Sequence, residues 1–414
     1  MTLSVVDAIT ASMCRLRDML FVAEIESISI DQSHGRVLGQ DIIAFRDSPA
    51  IDVSAMDGYA MRVADVGDST IAVVDTAPAG AAPKTMPPIA NTSEEHAGDR
   101  TGLKQAIRIF TGAAVPVGAE CIVPREQCRE QSDSIQLTVS ADRVQPGQHI
   151  RRRGENARAG SKVLESGRVL GGPQVSTLVT FLESNRVRVH RPLKIAIINT
   201  GDELIEAGEA LTDWQIRDSN GPLLVTMLAS HAWAYVSRRK VQDNASATQA
   251  AIAEAMASHD VVLITGGVSM GDTDHVPQAI RDCGATIQFH RLPIRPGKPL
   301  LGAVGPRGKL LMGLPGNPLS VAVTFRRFAM PLLQHMAGIT RVVAPMAVEV
   351  TNPDSKTLEL IWYRLVTRDA NGRATLLRSQ GSGDIASLGA SDGFVEISPG
   401  SMSAGSWPFY DWMG

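Results

Sequence analysis

The sequence predicts a multidomain protein that joins an α/β module to β-rich parts. The chain has 414 residues, more than a single hydrophobic core usually serves. Strand-like and helix-like patterns alternate through residues 193–338, which is typical of a mostly parallel sheet with helices on both faces. Short β-like runs separated by Gly, Pro and Asp turns occupy residues 26–150 and 342–414.

The N-terminal part predicts a helix followed by a β-rich domain. Apolar residues recur at three- and four-residue steps over residues 3–24, the spacing of an amphipathic helix. The β-like runs that follow are Ile25–Ile30, Ile71–Val74, Ala106–Phe110, Ile122–Pro124 and Ile135–Val139. The stretch from Ala77 to Thr101 is rich in Pro, Ala and Ser, and it predicts a mobile loop.

The α/β module and the C-terminal part are predicted from similar patterns. Expected strands of the module are Ile195–Ile198, Ala234–Val241, Val261–Ile264 and Pro299–Val304, and expected helices are Pro222–Ser230, Ala245–Ser258, Asp274–Cys283 and Leu319–Met336. The last helix has Asn317 as its expected N-cap and Pro318 at its first position. Beyond it, β runs at Ala347–Thr351, Leu358–Val366, Ala374–Arg378 and Gly393–Ile397 predict a small β-barrel or sandwich.

Composition excludes several classes of protein. A formal net charge of −3 provides no basic field for nucleic acid. No apolar run is long enough to span a bilayer, and the N-terminus lacks a signal-peptide core. The four cysteines form no CxxC pair and the nine histidines show no metal-ligand spacing, which argues against a zinc site or a disulfide framework. We therefore expect a cytoplasmic protein without nucleic-acid or membrane partners.

Three segments rich in Gly and Pro follow strands of the module, at Asn199–Leu204, Thr265–Asp272 and Gly313–Pro318. Open parallel sheets bind ligands at the carboxyl ends of their strands. A single glycine after a strand is more often an ordinary turn, but three such segments on successive strands favour a binding site. None is a GxGxxG or P-loop motif, which disfavours a dinucleotide enzyme and a P-loop NTPase. Backbone N–H groups in these loops indicate an anionic ligand.

Charged residues accompany these loops. Glu203, Asp243 and Asp274 are acids at or near strand ends, suited to Mg²⁺ beside a phosphate. Helix N-capping is an equally strong alternative for Asp243 and for Asp274. The tract from residue 290 to 299 places Arg291, Arg295 and Lys298 between prolines, a stiff arrangement that favours an oxyanion clamp over a solvated face.

The motifs of this chain, taken in order, resemble one family. They are Ser54–Ala60, Arg108–Ala113, Arg151–Glu155, Thr200–Leu204, Asp218–Asn220, Gly266–Ser269, Pro296–Pro299 and Leu314–Pro318. The chain is similar over nearly its whole length to the molybdopterin molybdenumtransferase family, which includes the MoeA proteins and the gephyrin E domain.

The resemblance implies a fold in four parts and an oligomeric state. The parts are an elongated mixed α/β linking domain at 1–50 with 146–185, a β-rich domain at 51–145, a MogA-like α/β molybdopterin-binding domain at 186–338, and a C-terminal β-barrel at 339–414. It also implies a homodimer whose active site takes residues from both subunits. Implied partners are a molybdopterin adenylyltransferase and proteins that deliver the cofactor to apo-molybdoenzymes.

The implied reaction inserts molybdate into adenylylated molybdopterin, with Mg²⁺, and releases AMP. Family positions important for catalysis match Asp57, Thr111, Glu203, Asp243, Asp274, Arg291 and Arg295. Binding positions are expected at Thr200, Gly201, Asp202, Ser219, Gly266, Gly267, Ser269, Lys298, Pro315, Gly316, Asn317, Arg364 and Ser382. Glu203, Asp243 and Asp274 are expected to hold the Mg²⁺.

Some positions leave alternatives open. We expect the partner subunit to lend Asp57 and Thr111 to the molybdate end of the site, although Asp57 before Gly58 also suits a plain turn. The chain has Asn156 where the family usually has Asp, and Arg291 and Arg295 where lysines are common. Asn156 keeps open a non-catalytic protein that stores and delivers cofactor. A weaker alternative is the adenylyltransferase reaction itself.

Overall fold

A computed structural model describes residues 4–88, 104–269 and 274–412. The chain forms two compact units, a larger one of residues 1–41, 165–178 and 184–414 and a smaller one of residues 42–164 and 179–183. Most of the predicted mobile loop at 77–101 lies outside the described residues. No helix in the described ranges is long and apolar enough to cross a membrane.

The strands and helices are numbered in chain order. The strands are β1 (Ile25–Ser29), β2 (Ile42–Ile43), β3 (Val53–Ser54), β4 (Gly58–Met61), β5 (Ile71–Ala77), β6 (Gln105–Ile109), β7 (Cys121–Pro124), β8 (Cys128–Glu130), β9 (Ser134–Leu137), β10 (Ile150–Arg151), β11 (Lys162–Leu164), β12 (Arg186–His190), β13 (Leu193–Thr200), β14 (Leu204–Ile205), β15 (Ile216–Arg217), β16 (Ala234–Val241), β17 (Val261–Thr265), β18 (Thr286–His290), β19 (Ile294–Arg295), β20 (Leu301–Val304), β21 (Leu310–Leu314), β22 (Met346–Val350), β23 (Ile361–Arg368), β24 (Ala374–Leu376), β25 (Gly393–Ile397) and β26 (Gly405–Asp411). The helices are α1 (Val5–Asp18), α2 (Gly172–Phe181), α3 (Asn220–Ala229), α4 (Ala245–Ser258), α5 (Val276–Asp282), α6 (Pro318–Thr324), α7 (Met330–Met336) and α8 (Ile385–Gly389).

Helix α1 is shorter than its apolar periodicity predicts. Ser4 caps it by accepting a hydrogen bond from the Asp7 backbone, and it ends at Asp18 rather than near residue 24. After it, the Ala23 N–H donates to the Met336 carbonyl at 2.7 Å instead of to a carbonyl four residues earlier. The apolar pattern continues past the helix because the extended segment buries Leu20 and Ala23 against the same core.

The smaller unit contains a six-stranded sheet in the order β7-β4-β6-β5-β9-β8. All neighbours pair antiparallel except β5 and β6, which are parallel. Successive residues of β4 alternate between two apolar clusters: Tyr59 and Met61 join one, and Ala60 joins the other. The strands predicted between residues 71 and 139 are confirmed, with boundaries that differ by one to three residues.

The α/β module of the larger unit has a six-stranded sheet in the order β16-β13-β17-β21-β20-β18. Strands β16, β13, β17 and β21 are parallel, and β20 is antiparallel to both of its neighbours. Along β13, Ile195 and Ile197 pack into one apolar cluster while Ala196 and Ile198 pack into another. Burial on both faces explains why β13, β17 and β21 are nearly continuous apolar runs, and the predicted mostly parallel sheet is confirmed.

The helix predicted from Leu319 to Met336 is present but not uniform. Between α6 and α7, residues Phe325–Ala329 form a π-helical segment. Within it Arg327 pairs with Glu396 at 2.5 Å, and the neighbouring Arg326 donates to the Asp411 carbonyl at 2.7 Å. The segment therefore turns two arginines toward the C-terminal strands.

The C-terminal strands form a closed barrel. Strands β23, β24, β22, β26 and β25 pair in sequence, and β25 pairs back with β23. This closure decides between the predicted barrel and sandwich. Strand β19, from the proline-rich tract, adds to β23 in parallel and places Arg295 opposite Trp362. The tract is thereby fixed to the barrel by backbone pairing.

Candidate active site

A cavity of about 1100 Å³ lies in the larger unit, at the carboxyl ends of β13, β17 and β21. Its walls also include the proline-rich tract and the face of the barrel that carries β23. The sequence-predicted residues that line it are Thr200, Gly201, Glu203, Asp243, Gly266, Gly267, Ser269, Asp274, Arg295, Lys298, Pro315, Gly316, Asn317, Arg364 and Ser382. The three strand-end loops and the proline-rich tract therefore meet at one cavity.

The strand-end loops approach one another closely, and this approach requires glycine at position 266. Gly266 has a φ of 90°, and a Cβ there would lie 2.6 Å from the Thr200 carbonyl oxygen. A Cβ on Gly316 would lie 3.8 Å from the Cα of Gly266. Asn220, at the start of α3, donates from its side-chain amide to the Gly316 carbonyl at 2.7 Å. The loops are packed backbone against backbone, and Asn220 holds the third one in place.

Asn317 has a different role from the predicted one. It occupies the N-cap position of α6 with Pro318 first in the helix, but its side chain caps no backbone N–H. Its amide instead donates to the Ser382 hydroxyl at 2.8 Å, and the Leu319 N–H donates to the Ser382 carbonyl at 3.1 Å. A loop of the barrel therefore satisfies the helix end, and this bond joins the two walls of the cavity.

Carboxylates gather at the strand-end side of the cavity. Burial, followed by the negative charge of Asp202, raises the pKa of Asp243; Glu203 and Asp274 add to the rise, and His275 opposes it. The N-capping alternative is wrong for Asp243, since Asn244 caps α4 by accepting from Ala247 N–H. The N-cap position of α5 is His275, whose side chain caps no backbone N–H, and the alternative for Asp274 stays a prediction.

These acids do not form a ready-made cage for a metal ion. In residues 4–88, 104–269 and 274–412, no group of three or more His, Cys, Asp or Glu side chains is arranged to hold one. The assignment of Glu203, Asp243 and Asp274 as metal ligands stays a prediction.

Cations also line the cavity, from the barrel and from the proline-rich tract. Arg364 pairs with Asp354 at 2.7 Å and lies over the Trp362 ring, with its guanidinium carbon 4.2 Å from the ring centroid. Burial raises the pKa of Asp354, but the hydrogen bond and charge of Arg364 outweigh it and hold that pKa below its usual value. Arg295 and Lys298 add positive charge from the proline-rich tract.

Three predicted residues of the larger unit are not among the cavity's lining residues. Asp202 accepts from the Asp243 N–H at 3.2 Å, so it supports the loop that carries Asp243. Ser219 occupies the N-cap position of α3. Arg291 has a φ of 71° and bonds the Leu300 carbonyl through its N–H, at the base of the proline-rich tract.

Asp57 and Thr111 lie together in the smaller unit. Both the backbone N–H and the hydroxyl of Thr111 donate to the Asp57 carboxylate at 2.7 Å. These bonds lower the pKa of Asp57. Nearby, Glu130 accepts from the Tyr59 hydroxyl at 2.7 Å and pairs with Arg125 at 2.7 Å. Asp57 thus joins two segments that are 54 residues apart in the chain, and its place at the molybdate end of the site stays a prediction.

Comparisons with known proteins agree with this architecture. Residues 3–181 match the model of the MoeA N-terminal region (domain I and II), and residues 196–335 match a "Probable molybdopterin binding domain". A molybdopterin molybdenumtransferase from Nostoc sp. is 33% identical over 80% of this chain and 73% of that protein. One from Staphylococcus aureus is 32% identical over 78% of this chain and 74% of that protein.

The chain belongs to the molybdopterin molybdenumtransferase family. The crystal structure of a molybdopterin biosynthesis MoeA protein from Pyrococcus horikoshii superposes with a TM-score of 0.79 at 25% identity, over 97% of this chain and 99% of that one. The resemblance drawn from the motifs is confirmed, and so is the expectation of a transferase of molybdenum cofactor biosynthesis.

Asn156, where this chain departs from the family pattern, has clear partners in the smaller unit. Its side-chain oxygen accepts from Arg151 and its amide donates to the Ser48 hydroxyl at 3.3 Å. Arg152 and Arg153, which belong to the same loop as Asn156, pair with Asp52 and Asp47 of an earlier segment. Asn156 therefore contributes to the bonding of the arginine loop, and the non-catalytic alternative that it keeps open stays a hypothesis for experiment.

The motif analysis missed part of the barrel wall. Asp354, Lys356, Trp362 and Arg378 line the cavity, yet none was selected from the sequence. The sequence contains only a weak signal for this wall: Trp362 and Arg364 are two residues apart on the strand that becomes β23. Two residues of that spacing lie on the same face of a strand.

Proposed function

We propose that the chain inserts molybdate into adenylylated molybdopterin, with Mg²⁺, and releases AMP. One observation carries the proposal: carboxylates, glycine-rich loops and cations all line a single cavity. Molybdate and the pyrophosphate of the pterin substrate are both anions, so both require cations and N–H donors. Neither needs a redox group from the protein.

The carboxylates fit a magnesium ion. Asp243 has its pKa raised partly by the charges of Asp202, Glu203 and Asp274, so the folded chain concentrates negative charge that a divalent cation would neutralise. Mg²⁺ usually keeps several waters and takes one or two carboxylates together with substrate phosphates, so it requires no complete cage from the protein. Glu203, Asp243 and Asp274 would hold it, and the bound ion would neutralise charge as the phosphate bond breaks.

The remaining cavity residues bind and orient the two anions. Backbone N–H groups around Gly266 and Gly267, and the Thr200 and Ser269 side chains, face the pyrophosphate next to the acids. Arg295 and Lys298, on the stiff proline-rich tract, hold the second anion without the reorganisation that flexible surface lysines would need. Arg364 and Ser382 complete this end from the barrel.

The smaller unit has a part in the same proposal. Asp57, held by Thr111, would be lent to the molybdate end by the partner subunit of a homodimer.

The four-part division with boundaries near residues 50, 145, 185 and 338 belongs to this proposal. So do a cytoplasmic location and transient partners that supply adenylylated pterin and accept the finished cofactor. A mass measurement of the full chain in solution tests the dimer: a monomer at micromolar concentration would contradict it.

The decisive experiment measures the release of AMP. Purified chain is mixed with adenylylated molybdopterin and Mg²⁺, and AMP is measured with and without molybdate. Molybdate-dependent AMP release supports the proposal. Tight pterin binding without that release would overturn it in favour of a storage and delivery protein. Formation of adenylylated pterin from ATP would favour the adenylyltransferase reaction.

A further inference from the structure

We propose that Trp362, with Arg364 layered on its ring, is a stacking subsite for a fused-ring nitrogen heterocycle that carries a phosphate. This inference rests on the proposed function, because that substrate has two such rings, adenine and pterin. It adds a ring-binding element on the barrel to the anion-binding elements already described. The probes below distinguish which ring it takes.

The geometry of β23 places the two side chains together. Trp362 and Arg364 are two residues apart on one strand, and both line the cavity. The Arg364 guanidinium carbon lies 4.2 Å from the indole centroid, and the Lys356 ammonium lies 5.5 Å from it. Asp354 holds Arg364 in this position at 2.7 Å. The arrangement places two cations over the indole ring, and the pair with Asp354 holds Arg364 there before any ligand arrives.

A second tryptophan of the barrel shows what a purely structural role looks like. Trp362 and Trp407 are both half-buried against the same apolar cluster of the barrel. Trp407 donates from its indole N–H to the Ser403 carbonyl at 3.1 Å and is not among the residues that line the cavity. Trp362 does line it and carries cations on its ring. Packing alone therefore explains Trp407 but not the place of Trp362.

The chemistry of the ligand follows from this contrast. A tetrahedral oxyanion gains from Arg295, Lys298 and Arg364 but has no use for an indole surface. A planar ring gains from stacking on an aromatic side chain or a guanidinium plane, and an attached phosphate gains from the cations beside it. A cavity of about 1100 Å³ also has room for more than an oxyanion and a metal ion.

The test compares ligands with and without a ring. Affinities of the full chain for AMP, for a pterin monophosphate and for ribose 5-phosphate are measured by calorimetry, together with quenching of tryptophan fluorescence. Trp362→Leu is compared with Trp407→Leu, which removes a similar indole from the same apolar cluster. Trp362→Phe retains a smaller aromatic face and serves as the conservative variant.

We expect Trp362→Leu to weaken binding of at least one ring-bearing probe by roughly 5- to 150-fold, the range for losing one stacked base. Trp407→Leu should change it little, because Trp407 does not line the cavity. Ribose 5-phosphate should bind equally to both variants, and Trp362→Phe should restore most of the affinity. The ring-bearing probe that loses affinity identifies the ring.

Two results would overturn the inference. One is an equal loss for ribose 5-phosphate, which would make Trp362 a support of the barrel. The other is no loss of either ring-bearing probe beyond that of Trp407→Leu. If Trp362→Leu does not fold, the quenching lost in Trp362→Phe decides: undiminished quenching by both ring-bearing probes contradicts stacking. None of these readouts uses turnover, so a failure of molybdate-dependent AMP release would leave the stacking result intact.

Discussion

The pairing of Arg238 with Asp218 provides a sharp test of how the site is built. Asp218 has a fully buried side chain, which accepts from the Gly221 N–H at 3.0 Å and from the Arg238 guanidinium at 2.6 Å. Gly221 belongs to the first turn of α3, next to Asn220, which holds the Gly316 carbonyl. Replacing Arg238 with Met leaves the Asp218 carboxylate buried and without its cation.

The burial of this ion pair sets the expected loss in the free energy of unfolding. Removing one partner of a buried ion pair costs about 3–5 kcal/mol, because an uncompensated charge stays in a medium of low polarity. Arg238 keeps 22% of its side chain exposed, so the lower end, about 3 kcal/mol, is expected for Arg238→Met. For a domain of this size, that loss lowers the melting temperature by roughly 6–12 °C.

The assay is urea unfolding of the wild type, Arg238→Met, Asp218→Asn and the double variant. Asp218→Asn keeps an acceptor for the Gly221 N–H but removes the buried charge, so the double variant should recover much of the loss. AMP release should fall with Arg238→Met and recover in parallel, since the first turn of α3 supports Asn220. A double variant no more stable than Arg238→Met would refute the reasoning.

Three further predictions concern the site and the arginine loop. Asp243→Asn should raise the Mg²⁺ concentration needed for AMP release by about tenfold or more, the effect of losing one charged ligand. Because the pKa of Asp243 is raised, protons compete with Mg²⁺ at a higher pH than for an ordinary aspartate, so the wild type should lose Mg²⁺ affinity on mild acidification more steeply than Asp243→Asn. The ionised carboxylate disfavours the folded state above that pKa, so Asp243→Asn should not lower the free energy of unfolding at neutral pH. Asp57→Ala should abolish molybdate-dependent turnover while sparing pterin binding, and unchanged turnover would remove Asp57 from the site. Asn156→Asp should change the free energy of unfolding by only about 1 kcal/mol, since it exchanges the weak bond to Ser48; a large gain in turnover would show that Asn156 limits catalysis.

Much of the fold was predictable because its signals are local. The boundaries of α4, β16 and β25 agree with the predicted residues to the position. The end of α1 was not, because the apolar pattern continues through residues that are buried in an extended conformation. The π-helical segment after α6 was also missed, since it depends on ion pairs with the barrel rather than on helix propensity.

Some features of the candidate site could likewise be predicted from the sequence, and others could not. The loops that carry Thr200, Gly266 and Gly316 could be found from the sequence because three glycine-containing segments follow successive strands, although each one alone would more often be an ordinary turn. The capping roles of Asn317, Asp243 and Asp274 could not be decided from the sequence, since Asn and Asp serve both as helix N-caps and as ligand-binding residues. The contact of Asn317 with Ser382 joins residues that are 65 positions apart.

The sequence by itself therefore determined the family, the strand-end loops and the charges that line them, because each is written in consecutive residues. Only the tertiary structure decided that the β-rich tail closes into a barrel and that β19 adds to it. It also decided that Trp362 and Arg364 lie together against the cavity, while Asp202, Ser219 and Arg291 do not line it. Strand pairing and contacts between side chains join residues that are far apart in the chain. A local hydrophobic pattern predicts the type of element but does not specify which other element it pairs with.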